Sequence, residues 1–353
     1  MGTSARAAGA ARSGSGLAAT LIARDEARCI VRCLESIAPW VDRIVVLDTG
    51  SRDGTPELAR GCGAQVHQFD WPGDFSAARN RVLDLADADW NLILDADEWI
   101  ESGGELLRGW CQGGARLGRI CVHSAFDAGQ PLPEGGGEAA GRSWLTRVLP
   151  RGVRFRGRVH EQAISPLPRE RIVLHVGHDG YLDAQLAGKR GRNLPLLLAD
   201  LQDHPGDPYI AYQLGKETEG AGRPGEACDW YDQALAQTPT SATWFHELLV
   251  RQLHCLGQAG RTDDALALAN ANIDAGRDSP DFYFTLGNLA LDRAMADPAQ
   301  AIDNWLPLAV SAWERCLEIG ERPELEGSVH GRGSHLAQHN LDVVRQQMAL
   351  LGG

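Results

Sequence analysis

The residues most suited to chemistry are the carboxylates of Leu94-Asp95-Ala96-Asp97-Glu98, which close an apolar run at 90–94. Two carboxylates separated by one residue at the carboxyl end of a strand can face a single cation. Hard divalent ions such as Mn2+ or Mg2+ take oxygen ligands and keep positions open for substrate phosphates. An acid-rich helix start, complementing the macrodipole, is the plainer use of the same residues. A second polar segment, Asp48-Thr49-Gly50-Ser51-Arg52-Asp53-Gly54-Thr55, follows the compact run Ile44-Val45-Val46-Leu47. Asp48 stands where a carboxylate can accept from a nucleobase imide or a ribose hydroxyl. Ser51, Asp53 and Thr55 are expected to cap the helix that begins near Pro56. Ala23-Arg24-Asp25-Glu26 ends the first apolar run in the same manner.

Holding these segments together requires strands that deliver them to one edge. Residues 17–23, 43–47, 65–69 and 90–94 read as strands, and 26–37, 55–61 and 76–86 as helices between them. The apolar run at 43–47 is of the kind buried on both faces of a parallel sheet. Alternating strand and helix imply an open α/β sheet with right-handed crossovers, which binds ligands outside the carboxyl ends of its strands. Residues 113–142 are rich in Gly and Pro and are expected to form a mobile loop that excludes water from the site.

After about residue 190 strand patterns stop. Leu214-Gly215, Ala227, Tyr231, Ala234 and Pro239 fall where a tetratricopeptide repeat places its small and aromatic packing residues. Gly260 and Ala265 lie 38 positions beyond Gly222 and Ala227, and a third unit runs from Leu286-Gly287, across an insertion, to Ala309, Trp313 and Cys316. Such helix pairs must stack on neighbours to bury their apolar faces. Residues 334–351 are expected to be a capping helix.

The chain has 353 residues, 34 Lys+Arg against 47 Asp+Glu and a net charge of −13, so it is unsuited to holding nucleic acid by general phosphate neutralisation. No window approaches the ~18 apolar residues of a membrane span. The opening segment lacks an apolar signal core and reads as a disordered leader. The eight cysteines are scattered without a C-x-x-C pair, so neither a zinc framework nor disulfides are expected, and a reducing cytoplasm fits.

Four ordered segments, LIARDEARCIVRCLESI, VDRIVVLDTGSRDGT, FDWPGDFSAARN and DWNLILDADE, closely resemble the inverting family 2 glycosyltransferases of the GT-A fold. With FRGRVHE at 155–161 and HDGY at 178–181 they resemble a bacterial subgroup that carries appended repeats and includes sublancin-type peptide S-glycosyltransferases. The resemblance implies a leader at 1–16, a GT-A domain at 17–185 with a mostly parallel open sheet, and a helical linker with an all-α tetratricopeptide-like domain at 186–353. It implies a donor site lined by Ala23, Asp25, Glu26, Asp48, Arg79, Asp95 and Ala96, with Arg79 near the phosphates. Asp97 and His178 would hold Mn2+ or Mg2+. Asp95 is a further metal candidate, and so is His175, three residues from His178.

An inverting transfer needs a base for the acceptor proton, and Glu161 is the expected catalytic carboxylate alongside Asp97. His160 and Glu161 could instead only position the acceptor loop. Arg147 and Arg154 are candidates to pair with the diphosphate or with Glu161, and Trp71 with Phe75 to wall the sugar pocket. The implied donor is a nucleotide sugar, first a UDP-sugar, and the acceptor a peptide or protein side chain. The repeats are expected to hold that acceptor or to form a homodimer. The alternative from another class is a helical-repeat scaffold with a degenerate transferase domain. A nucleotidyltransferase would want a glycine-rich, lysine-bearing phosphate loop after the first strand, and A-R-D-E is not that.

Overall fold

A computed structural model describes residues 16–124, 141–179 and 191–351, which fall into two compact units on either side of residue 190. Most of the leader, the centre of the Gly/Pro-rich stretch and Gly180-Tyr181 of the H-D-G-Y segment lie outside the described residues.

The first unit is built on an eight-stranded sheet. Its strands are β1 (Leu17–Ala23), β2 (Arg43–Asp48), β3 (Gln65–Gln68), β4 (Trp90–Ile93), β5 (Glu98–Ser102), β6 (Leu117–Ser124), β7 (Gly141–Pro150) and β10 (Arg169–His178). A separate hairpin pairs β8 (Arg154–Arg156) with β9 (Gln162–Ile164). The sheet order is β3-β2-β1-β4-β7-β6-β10-β5. The first four strands run parallel, β7 runs antiparallel to both β4 and β6, and β5 is antiparallel to β10. Helices α1 (Ile30–Ile37), α2 (Thr55–Gly61), α3 (Phe75–Ala86) and α4 (Leu107–Cys111) complete the unit.

Ile44 to Leu47 of strand β2 are all apolar because the strand is covered on both sides. Val46 joins Leu21, Leu34, Ile37 and Leu92 in one core, while Val45 and Leu47 join Ala18, Ala78 and Val82 in another. Each fully buried side chain of this size contributes roughly 1.5–3 kcal/mol. Helix α1 starts at Ile30, four residues later than Glu26, since Asp25 takes a left-handed conformation (φ 55°) and ends the extended chain. Helix α3 is capped by Asp74, whose side chain accepts from the Ala77 amide at 2.9 Å, and it stops at the left-handed Asp87. The expected loop at 113–142 is corrected in part: residues 117–124 form strand β6, with Ile120, Cys121 and Val122 buried. Glycine content hid a strand whose inward positions are apolar.

The second unit is helical. Its longer helices are α5 (Asn193–Asp203), α6 (Pro208–Gly220), α7 (Pro224–Leu235), α8 (Phe245–Gln258), α9 (Thr262–Ala271), α10 (Pro280–Ala296), α11 (Leu306–Ile319) and α12 (His335–Leu351). Proline at the first helical position and an Asp207 or Ser279 cap start α6 and α10. Repeat geometry is visible in the small residues. A Cβ on Gly215 would lie 2.3 Å from the Tyr231 ring, and one on Gly287 2.5 Å from Trp313, so only glycine lets these rings seat against the facing helix. Gly222 and Gly260 both turn the chain between paired helices at φ 74° and 73°. Helix α12 packs on α11. No helix among the described residues is long and apolar enough to cross a membrane.

Candidate active site

The carboxyl ends of β1, β2 and β4 lie side by side, with Ala23 opposite Asp48 and Thr20 opposite Ile93. Strand order reverses between β2 and β4 around β1, which opens a crevice of the kind that binds ligands in α/β sheets. Asp48 is 1% exposed; its Oδ2 accepts from the Gly50 and Ser51 amides at 3.3 and 3.2 Å, while Oδ1 has no partner. A buried acceptor left open in this way suits an imide N–H or a ribose hydroxyl.

Two loops beside Asp48 are tied to one another. Asp25 accepts from the Arg52 amide at 2.7 Å and donates its own amide to Ser51 Oγ at 2.9 Å. The Glu26 amide reaches Thr55 Oγ1 at 2.8 Å, and the Ala27 amide reaches Asp53 at 3.0 Å. Ser51, Asp53 and Thr55 are therefore structural: they cross-link the two loops, and Asp53 also accepts from the Thr55 amide at 3.0 Å at the start of α2, which Gly54 precedes. The Ala23 carbonyl is taken by the Thr49 amide and hydroxyl, and the Glu26 carboxylate accepts from the Cys29 thiol at 3.1 Å.

A chain of charges crosses the next strands. Arg79 on α3, 6% exposed, donates from Nε to Glu161 and from one terminal nitrogen to Asp95 at 2.7 Å. Its other terminal nitrogen is buried and has no partner. Arg147 on β7 donates to Asp95 at 2.7 Å and to Glu98 at 2.9 Å, and the second Glu98 oxygen accepts from the Asp95 amide at 2.8 Å. Burial acts to raise the Asp95 carboxyl, yet Arg147 and Arg79 together hold it well below the usual carboxylate range. Glu98 goes the other way: burial, with Asp95 and Asp97 nearby, pushes it up to about 7 against the pull of Arg147. Asp95 is thus a doubly clamped carboxylate, and Glu98 a carboxyl that burial pushes towards its neutral form.

Asp97, beside Ala96, is buried and lies 3.5 Å from His178 Nε2. Burial lowers the imidazole, but Asp97 outweighs it, so His178 titrates above its ordinary range. Strand β10 runs in register with β6 over 175–178, so His175 and His178 face opposite sides of the sheet. His178 meets Asp97, whereas His175 Nδ1 lies 3.3 Å from His123 Nε2. Asp179 next to His178 is held by Arg28 and Arg32 of the α1 segment at 3.0 and 2.5 Å.

Glu161 follows the β8 strand, and its anchoring residue is one that sequence reasoning passed over. Asn80 donates to the Phe155 carbonyl at 2.9 Å and accepts from the Phe155 amide at 2.8 Å. Phe75 donates its amide to the Arg158 carbonyl at 2.8 Å, so α3 holds both ends of this segment. His160 is in the left-handed region (φ 51°), which aims the residues around it. Arg154, a candidate partner for Glu161 or a diphosphate, pairs with Asp84 at the surface. Trp71 packs edge-on against Phe75, ring centroids 4.7 Å apart. Glu98, Asn80 and Asp179 stand beside motif residues, and adjacency to D-A-D, A-R and H-D was the signal available for them.

The donor set of Asp97 and His178, one carboxylate and one imidazole with their atoms facing, fits a divalent ion that completes its shell with water and phosphate oxygens. Asp95 fits less well as a ligand because both of its oxygens are engaged by arginines.

Residues 20–115 match the family model Glycosyl transferase family 2. A TPR repeat-containing protein of Synechococcus elongatus is 35% identical over 244 residues, 65% of this chain and 59% of that protein. The SPbeta prophage-derived glycosyltransferase SunS of Bacillus subtilis is 27% identical over 228 residues, 61% of this chain and 52% of SunS. Among solved structures, glucosyl-3-phosphoglycerate synthase from Mycobacterium tuberculosis is similar at 24% identity with a TM-score of 0.26, over 34% of this chain and 47% of that one. That structural likeness is too slight to carry a ligand across. The matches span between half and three fifths of the curated relatives' lengths.

Proposed function

We propose that this chain, whose residues 20–115 match Glycosyl transferase family 2 and precede a helical repeat unit, transfers a sugar with inversion from a UDP-sugar to a peptide or protein side chain. The observation that carries this reading is the convergence of Asp48, Asp95, Asp97, His178 and Glu161 on the strand ends around β1 and β4. Asp48 Oδ1 is the acceptor for the imide N–H of uracil. The open terminal nitrogen of Arg79 is the donor available to a diphosphate oxygen. Mn2+ or Mg2+ held by Asp97 and His178 would supply charge neutralisation for the leaving diphosphate.

Glu161 has one oxygen on Arg79 and keeps Oε2 for the acceptor proton. In that arrangement the carboxylate takes the proton as the acceptor attacks the anomeric carbon from the face opposite the diphosphate. Arg79 links the two ends of the reaction, since a diphosphate that draws on its guanidinium weakens its hold on Glu161. The repeat unit supplies the kind of stacked helical surface that holds extended peptides.

Glu161→Gln and Asp97→Asn separate the roles. The first is expected to slow transfer by about 10²–10⁴-fold with donor affinity kept, the size of a lost general base. The second is expected to lose metal-dependent donor binding as well. Full transfer in Glu161→Gln would remove the base assignment. Absence of any nucleotide-sugar turnover or binding by the intact chain would leave the scaffold reading instead.

A further inference from the structure

A second group of ligating side chains sits on the opposite face of the sheet from His178. Cys121 and His123 are two apart on β6 and so share a face, and His175 is the registered neighbour of Cys121 on β10. One ligand atom from each of the three lies within 4.8 Å of the other two. Cys121 is buried, and the two histidines are partly so.

The spacing is informative. His175 Nδ1 and His123 Nε2 are 3.3 Å apart. Two imidazole nitrogens on one tetrahedral zinc, with bonds of roughly 2.0–2.1 Å, are separated by about 3.3 Å. His123 is also oriented for ligation: its other nitrogen, Nδ1, meets Glu101 Oε2 at 2.9 Å. A carboxylate on the far nitrogen of a ligating histidine fixes the tautomer that leaves the near nitrogen's lone pair free for metal. Gly177 makes room for this carboxylate, since a Cβ there would come within 2.6 Å of Glu101 Oε1 and 2.3 Å of Trp99.

We propose that Cys121, His123 and His175 bind one Zn2+, with solvent as the fourth ligand. A thiolate and two imidazoles suit zinc far better than the hard ions of the Asp97–His178 pair. Binding releases the Cys121 thiol proton to solvent, and the His175 proton that bridges to His123 moves to His175 Nε2, so that both facing nitrogens present lone pairs. The ion would clamp β6 to β10, with Glu101 of β5 behind it. Those strands deliver Glu98 at the start of β5 and His178 at the end of β10.

Cobalt substitution in the full chain, stripped with chelator, tests this directly. One equivalent of Co2+ should give a thiolate-to-cobalt charge-transfer band and the intense visible bands of a tetrahedral ion, both displaced by Zn2+. Asp97→Ala should keep the thiolate band and Cys121→Ser should lose it. In competition with a chromophoric chelator, His123→Ala should weaken zinc binding at least 100-fold and Glu101→Gln by about 10–100-fold. Circular dichroism checks that each variant is folded, and the partly exposed His123 and Glu101 keep the test available should Cys121→Ser not fold. No thiolate band in the wild-type chain, a band kept in Cys121→Ser, or zinc affinity unchanged in His123→Ala would each overturn the proposal.

Discussion

Replacing Asn80 with alanine isolates the positioning of Glu161 from its chemistry. Asn80 makes two hydrogen bonds to the backbone of one residue, at 2.8 and 2.9 Å, and Phe155 is 9% exposed. An ordinary hydrogen bond contributes about 1 ± 0.5 kcal/mol net, and a buried group left without a partner costs about 1–3 kcal/mol. Losing both, with some water entering the space, gives about 2–4 kcal/mol. Asn80→Asp keeps the acceptor for the Phe155 amide but sets a carboxylate against the Phe155 carbonyl, so it should be no better at neutral pH. Urea unfolding measures the stability term, and turnover with donor titration measures the site. Both variants should lower kcat by tenfold or more while donor affinity changes less than twofold, because Asp48 and Asp97 are untouched. Limited proteolysis should cut first between residues 154 and 164. Stability within 0.5 kcal/mol of wild type together with full turnover would refute the idea that this amide holds the Glu161 segment.

The repeat unit yields two further expectations. Gly287→Ala gains about 1 kcal/mol of helix propensity but drives a methyl to within 2.5 Å of the fully buried Trp313, an overpacking cost of about 1–3 kcal/mol, and should lower the thermal midpoint. Gly225→Ala, with nothing within 4 Å of its new methyl, should be neutral or stabilising and serves as the control. The pH dependence turns on Glu247, which burial would raise but which Lys216 and Arg251 hold down at about 2. A carboxyl depressed in the folded state stabilises above its unfolded value near 4.5 and loses that contribution as pH falls towards 2, a span of about 3 kcal/mol. Glu247→Gln should therefore be destabilised at pH 7, and its gap from wild type should close on acidification. A gap constant from pH 7 to pH 2.5 would contradict this.

How much could be read from the chain alone follows from which signals are local. Strand β1 and helix α2 begin and end where apolar runs meet Gly, Pro and charged residues, and each was legible to the residue. The helix after A-R-D-E was placed too early because left-handed Asp25 depends on bonds to Ser51 and Arg52, which are distant in sequence. Strand β6 was missed because its flanks are glycine-rich, although Ile120 and Val122 are core residues. Strand β7 between β4 and β6 has no local signature, and without that neighbour relation Arg147 could not be matched to Asp95 and Glu98. The same holds for Arg79, expected at a phosphate and found between Asp95 and Glu161 with one nitrogen still open. The Cys121–His123–His175 group has no C-x-x-C signature, because its third member is 52 residues along the chain and adjacent only through strand pairing.

Binding of a nucleoside diphosphate at these strand ends, through a cation, underlies the proposed transfer. Isothermal titration of UDP into the full chain, with Mn2+ and then with excess chelator, measures this on wild type and Asp97→Ala. Saturable binding of one UDP per chain is expected with Mn2+, weakened at least tenfold by chelator and equally by Asp97→Ala. Binding indifferent to both metal and Asp97, or no binding of UDP at all, would contradict it.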